Sequence, residues 1–100
     1  MKMLKSVLNE ELSRLRMLES NYERQISRLA RGSLIRKNIK GNVYYYLNYR
    51  QEGKSIFKYL GKLSQKAREG LLDEIEERRK LEKLKRQVAR DIKKLEKMVK

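Results

Sequence analysis

Apolar residues recur along the first third of the chain at Leu4, Leu8, Leu12, Leu15, Leu18, Tyr22, Ile26 and Leu29. Steps of three and four residues trace one face of a helix, so the pattern predicts an amphipathic helix over 2–31. Leu8, Leu15, Tyr22 and Leu29 repeat every seven residues and set a coiled-coil-like seam, while Ser6, Ser13, Ser20 and Ser27 repeat on the far side. Arg28 and Arg31 followed by Gly32 suit a helix end, because cations favour the carbonyl end and glycine takes a left-handed cap without steric cost.

The period changes after Gly32. β-branched and aromatic residues crowd between glycines at 32, 41, 53 and 61 and predict a three-stranded sheet over 33–62. The first strand is expected over 33–40, a tight Gly41-Asn42 turn leads to 43–50, and a longer Gln51-Glu52-Gly53 turn leads to 54–60. Alternation sends Val43, Tyr45, Leu47 and Tyr49 of the second strand to one side and Tyr44, Tyr46, Asn48 and Arg50 to the other. On this reading the first set joins Ile35, Ile39, Phe57 and Tyr59 in a core. The second set neighbours Arg36, Asn38 and Lys40 on the first strand and Lys58 on the third.

The helical period returns after Ser64, a good N-cap residue, with Leu71, Leu72, Ile75, Leu81, Leu84, Val88, Ile92, Leu95 and Val99. It predicts a second helix over 64–99. Gly70 is a weak point, worth about 1 kcal/mol against alanine, where a short first turn is expected to part from the main helix. At ~1.5 Å per residue the two helices run on the order of 45 and 50 Å. The resulting fold is α+β, with the order α-β-β-β-α: two long antiparallel, coiled-coil-like helices with a three-stranded antiparallel meander between them. At 100 residues the chain is expected as a single domain. Two helices and a small sheet leave apolar surface uncovered, which points to a homodimer.

Charge adds a partner to this picture. The 27 Lys and Arg residues against 13 Asp and Glu leave a formal charge of +14, a field of one sign that calls for an anionic partner. Nucleic acid comes first, an acidic protein surface second. A membrane surface comes last, since the helices carry no Trp and no Phe for the apolar side of an interfacial helix. The absence of Cys and His removes disulfides, zinc centres, thiol nucleophiles and imidazole catalysis. Asp73, Glu74, Glu76 and Glu77 splay around a helix, with Arg78 and Lys80 placed as i,i+4 partners of Glu74 and Glu76, so they read as structural pairs. No enzymatic activity, metal or cofactor is expected. The longest apolar run, 43–47, is far short of the roughly 20 residues a spanning helix needs. The first eight residues are too short for a leader, and the protein is expected to be cytoplasmic.

The strongest candidate surface lies on the last helix. Arg79, Lys83, Arg86, Arg90, Lys93, Lys97 and Lys100 follow one another in steps of three and four and form one ridge, opposite a seam at Leu81, Leu84, Val88 and Leu95. Many charge runs are only solvated faces. Here Glu82 and Glu96 flank the ridge without interrupting it, although like charges at i,i+4 cost roughly 0.2–0.5 kcal/mol per pair. A phosphate chain would neutralise such a row. The second surface is the strand face with Tyr44, Tyr46, Asn48, Arg50, Arg36, Asn38, Lys40 and Lys58, where Arg and Asn suit base edges and Tyr suits stacking or a phosphate. The alternative for the tyrosines is plain packing on a half-buried pleat.

Residues 32–64, GSLIRKNIKGNVYYYLNYRQEGKSIFKYLGKLS, resemble a short module near the N-termini of some insertion-element transposases, in which a strand ending in Tyr-Tyr-Leu is followed by an Arg, a Gly-Lys turn and a strand ending in Tyr-Leu-Gly. More distantly the stretch is similar to the arm-type DNA-binding domain of tyrosine recombinases, a three-stranded sheet followed by a helix that lays its sheet in the major groove. The resemblance implies a mobile-element origin and a contacting set of Arg36, Tyr44, Tyr46, Arg50 and Lys58. The long first helix and the overlong last one depart from the recombinase pattern. The element order is also similar to that of the double-stranded-RNA-binding domain, which keeps RNA behind DNA as a ligand. The expected function is a small basic nucleic-acid-binding protein. The competing one is a coiled-coil adaptor or inhibitor that binds an acidic protein or a protein–nucleic-acid complex.

Overall fold

The computed structural model describes residues 2–100, with side chains from Leu4 onward; Met1, the start of the stretch weighed as a leader, lies outside the described residues. The elements follow as α1 (Lys2–Ser27), β1 (Ser33–Ile39), β2 (Asn42–Gln51), β3 (Lys54–Gly61) and α2 (Gln65–Val99). The fold is α+β, with two helices and one antiparallel sheet of strand order β1-β2-β3. The chain, expected as a single domain, divides into two compact units that share α2: Met1–Arg28 with Arg79–Lys100, and Leu29–Arg78. With 35 residues, α2 is ~50 Å long and exceeds what one small core covers.

In the helical unit, Leu12 and Leu15 of α1 pack with Val88 and Ile92 of α2, and Leu18, Tyr22, Leu95 and Val99 are half-buried around them. Glu96 accepts from Arg16 Nη2 at 3.5 Å and Glu23 from Lys85 Nζ at 2.9 Å, so partner numbers fall on α2 as they rise on α1 and the helices run antiparallel. These pairs are exposed and add little free energy; the apolar seam holds the hairpin. Ser6, Ser13, Ser20 and Ser27 are all exposed, as the heptad spacing required. Leu84 is 49% exposed and sits at the rim of the seam, with Ile92 in the core. On the surface of α1, Arg14 donates two hydrogen bonds to Glu11, and these together with its charge hold the Glu11 carboxyl below the usual range.

The first helix stops at Ser27, four residues before the expected end. Arg28 N donates to Gln25 O at 3.2 Å, a tightened i−3 turn, and Ser27 Oγ donates to Arg24 O at 2.7 Å. Beyond this point the backbone is held by α2 instead: Arg78 Nη1 donates to Leu29 O at 2.9 Å and Ala30 N donates to Glu74 Oε1 at 3.3 Å. Gly32 has φ +90°, and a Cβ there would fall 2.0 Å from Asn48 O, so the link passes β2 at a distance only glycine permits. At the other end Ser64 Oγ accepts from Ala67 N at 3.1 Å, the expected N-cap. The second helix is continuous through Gly70, and no turn is parted from it.

Two short turns set the sheet. Lys40 and Gly41 have φ 52° and 83°, and Glu52 and Gly53 have 52° and 76°. Both hairpins therefore close through two residues with positive φ, the type I′ geometry whose twist matches paired strands. The pairs next to the turns are Ile39 with Asn42 and Gln51 with Lys54. One side of the sheet is covered: Tyr45 and Leu47 are buried, and Arg68 of α2 donates to the Tyr45 hydroxyl at 3.0 Å with its guanidinium 5.5 Å from the ring centre. Ile75 of α2 is the most enclosed core side chain of this unit, at 4% exposure. Arg31 lies 4.3 Å over the Tyr49 ring. The outer strands carry exposed cations along their length, Arg36 and Lys37 on β1 and Lys54 and Lys58 on β3.

Candidate nucleic-acid interface

A two-residue turn pairs even-numbered residues with odd-numbered ones, and this decides which side chains share a face. Arg36 stands opposite Tyr45, Asn38 opposite Val43, and Lys58 opposite Leu47. All three lie on the Tyr45 side, away from Tyr44 and Tyr46, which corrects the expected contact face. They remain exposed because they occupy the outer strands. Asn38 is engaged locally, its Oδ1 accepting from Gly41 N at 3.1 Å, and Lys40 is the first residue of the turn itself. The Asn48 amide donates to Ser55 Oγ at 2.8 Å and to Ile56 O at 3.2 Å, and Arg50 Nη1 donates to Gly53 O at 3.4 Å. Asn48 and Arg50 thus brace the second hairpin.

The same parity brings other residues beside Tyr44 and Tyr46. Tyr46 stands opposite Ile35 on one side and Tyr59 on the other, and Tyr44 stands opposite Lys37. Phe57 and Tyr59, expected in the core, are 61% and 59% exposed, and Ile39 is 44% exposed. Tyr59 is the hub: its ring centre lies 5.3 Å from Tyr46 and 6.3 Å from Tyr44, with the planes tilted by 56° and 43°. Tilted rings at this separation attract edge to face, so the three rings hold one another in place. Together with Ile39 the three tyrosines line an open depression of about 400 Å³. Cations border it: Lys37 Nζ lies 5.5 Å from the Tyr46 ring centre, and Lys62 Nζ lies 5.9 Å from Tyr44 and 3.2 Å from Asn42 Oδ1. Exposed cation–π contacts of this kind are worth about 0.5–1 kcal/mol.

The ridge on α2 has the expected exposure. Arg79, Lys83, Arg86, Arg90, Lys93, Lys97 and Lys100 are all exposed, while Leu81, Val88 and Ile92 are buried on the other side of the helix. Arg90 Nη2 donates to Gln87 Oε1 at 2.8 Å, a neutral partner. Glu96, which flanks the C-terminal part of the ridge, is paired with Arg16 on α1 at 3.5 Å. Among the described residues no three carboxylates gather into a group able to hold a metal ion, and no helix is long and apolar enough to cross a membrane.

Lys37, Phe57 and Tyr59 join this face without being among the expected contact residues, and the length of the turns was the signal that could have placed them; Lys62 lies past the register shift at Tyr45 and Tyr46, which no turn length announces. A family model described as a domain of unknown function, DUF6788, matches residues 7–69. No curated protein and no solved structure matches the chain. The aromatic face falls inside the matched segment and the α2 ridge outside it. Since the match takes in more than half of its residues, the chain belongs to the DUF6788 family.

Proposed function

We propose that this protein is a non-enzymatic nucleic-acid-binding module of the cell interior. It grips phosphates with the exposed row of α2 and presents the tyrosine face of the sheet to the polymer. The observation that carries the reading is the uninterrupted exposure of the seven ridge cations while Glu96 is diverted to the opposite helix. A row meant only for solvation gains from alternating signs along its length, whereas all seven ridge positions of this one are Lys or Arg. Spread over 21 residue steps, the row extends about 31 Å at 1.5 Å per residue, long enough to follow a phosphate chain.

The test is an anisotropy titration with labelled duplex and unpaired oligonucleotides at two salt concentrations. If about six phosphates are neutralised, log K falls with log salt at a slope near −5, and affinity drops roughly a thousandfold between 50 and 200 mM. Lys93→Ala then weakens every sequence alike and makes the slope shallower by about one. Absence of binding at low salt, or a flat response to salt, overturns the proposal.

A further inference from the structure

We infer that the aromatic face of the sheet is a stacking platform for unpaired nucleotides. This inference rests on the nucleic-acid reading above and specifies the ligand of one of its two surfaces. In a duplex the flat faces of the bases are buried against one another and only their edges are offered. Edge readers are scarce on the face around Tyr44, Tyr46 and Tyr59, where Arg50 Nη1 is engaged with Gly53 O at 3.4 Å. The two-residue turns place Arg36, Asn38 and Lys58 on the other side, and the Asn48 amide is held by Ser55 and Ile56. What the face presents is ring surface: Tyr59 and Phe57 are more than half exposed on β3, beside the half-buried Tyr44 and Tyr46 on β2.

Ring surface recognises the flat face of a base whatever its identity, and it reaches that face only when the strand is unpaired. Charge complements the shape. Lys37 and Lys62 stand at the border of the depression with their amines 5.5 and 5.9 Å from the Tyr46 and Tyr44 ring centres. Bases on the rings would leave the connecting phosphates at the margin, within reach of these flexible side chains. The sheet segment carries seven cations and one acid, Glu52, and Glu52 lies in the β2–β3 turn. The tilted packing of the tyrosines leaves their order independent of the ligand, so little conformational freedom is lost on binding.

The experiment compares an unpaired oligonucleotide of about 10 residues, within the roughly 4–16 nucleotides that single-strand-binding OB-folds cover, with the duplex of the same sequence. The protein has six Tyr and no Trp, so quenching of its intrinsic emission reports directly on the tyrosines. Tyr59→Ala and Phe57→Ala are the informative variants, because both side chains are exposed and the core does not depend on them. Each is expected to lower single-strand affinity about 10-fold (about 1.4 kcal/mol), with duplex affinity changed by less than about twofold. Tyr59→Phe keeps the ring and is expected to keep the affinity. Equal losses on single strand and duplex, or no loss on either, overturn the platform while salt-dependent binding leaves the broader reading standing. If neither polymer binds at low salt, both readings fall. If sedimentation finds a dimer that Tyr59→Ala dissociates, a second copy of the chain covers the face and the platform is likewise overturned.

Discussion

Replacing Gly32 by alanine adds one methyl group at the link between α1 and β1, and two independent costs follow. The backbone there has φ +90°, a region that costs an L-residue roughly 1–2 kcal/mol. The new Cβ would lie 2.0 Å from Asn48 O and 2.9 Å from both Asn48 C and Tyr49 Cβ. The nearest of these is backbone of the central strand, which is paired on both sides and cannot swing away like a side-chain tip. Forcing such a shift costs about 1–3 kcal/mol, as overpacking does elsewhere. The total, about 2–5 kcal/mol, corresponds to a fall in Tm of roughly 10–30 °C for a chain of this size. Two further glycines separate the terms. Gly53→Ala has φ +76° but open space around the new atom, so only the backbone cost of about 1–2 kcal/mol applies. Gly70→Ala lies inside α2 with nothing within 4 Å and is expected to stabilise by about 0.5–1 kcal/mol. Thermal melts followed by circular dichroism at 222 nm, a wavelength that reports mainly helix, order the four proteins. A Gly32→Ala protein that melts no lower than Gly53→Ala would refute the close approach of the link to β2.

Two other substitutions test the turns and the division into units. Glu52→Asn puts a residue that tolerates positive φ at the first position of a type I′ turn, where Glu52 now has φ 52°, and should raise stability by about 0.5–1 kcal/mol in denaturant titrations; a loss would argue against that turn geometry. Ile92→Ala removes a side chain from the core it forms with Leu12, Leu15 and Val88 and should cost about 2–4 kcal/mol. Amide exchange is expected to quicken along α1 while β2 keeps its protection, and a uniform loss in both would mean that the two units open as one.

The helices were legible because a period of 3.6 survives many residues, and an error at one position does not shift the rest. The ridge from Arg79 to Lys100 was legible for the same reason. Within β2 the split between Tyr44 with Tyr46 and Tyr45 with Leu47 was also correct, since alternation needs no partner. The pairing of β2 with its neighbours was not legible, because it depends on turns one residue long in their ambiguity. Asn and Gly are the residues a type I′ turn favours, so Gly41-Asn42 and a three-residue turn ending in Gly53 looked better than Lys40-Gly41 and Glu52-Gly53. Side chains alternate with a period of two, so the three-residue turn put Lys58 on the wrong face and hid Phe57 and Tyr59 in a core they do not join. Either two-residue turn at 40–42 puts Arg36 and Asn38 opposite odd-numbered residues of β2, a parity that the expected face overlooked. The end of α1 was misplaced because Glu74 and Arg78, distant in sequence, capture the backbone at Leu29 and Ala30.

With three strands, two of them have an unpaired edge, and an unpaired edge is a template on which another β-strand can grow. Arg36 and Lys37 on β1 and Lys54 and Lys58 on β3 make any approach of one edge to another a meeting of like charges. That defence lasts only as long as the charges stay uncompensated. If the protein binds a polyanion as proposed, a polymer wrapped along these strands would cancel the repulsion, and self-association would then rise with occupancy.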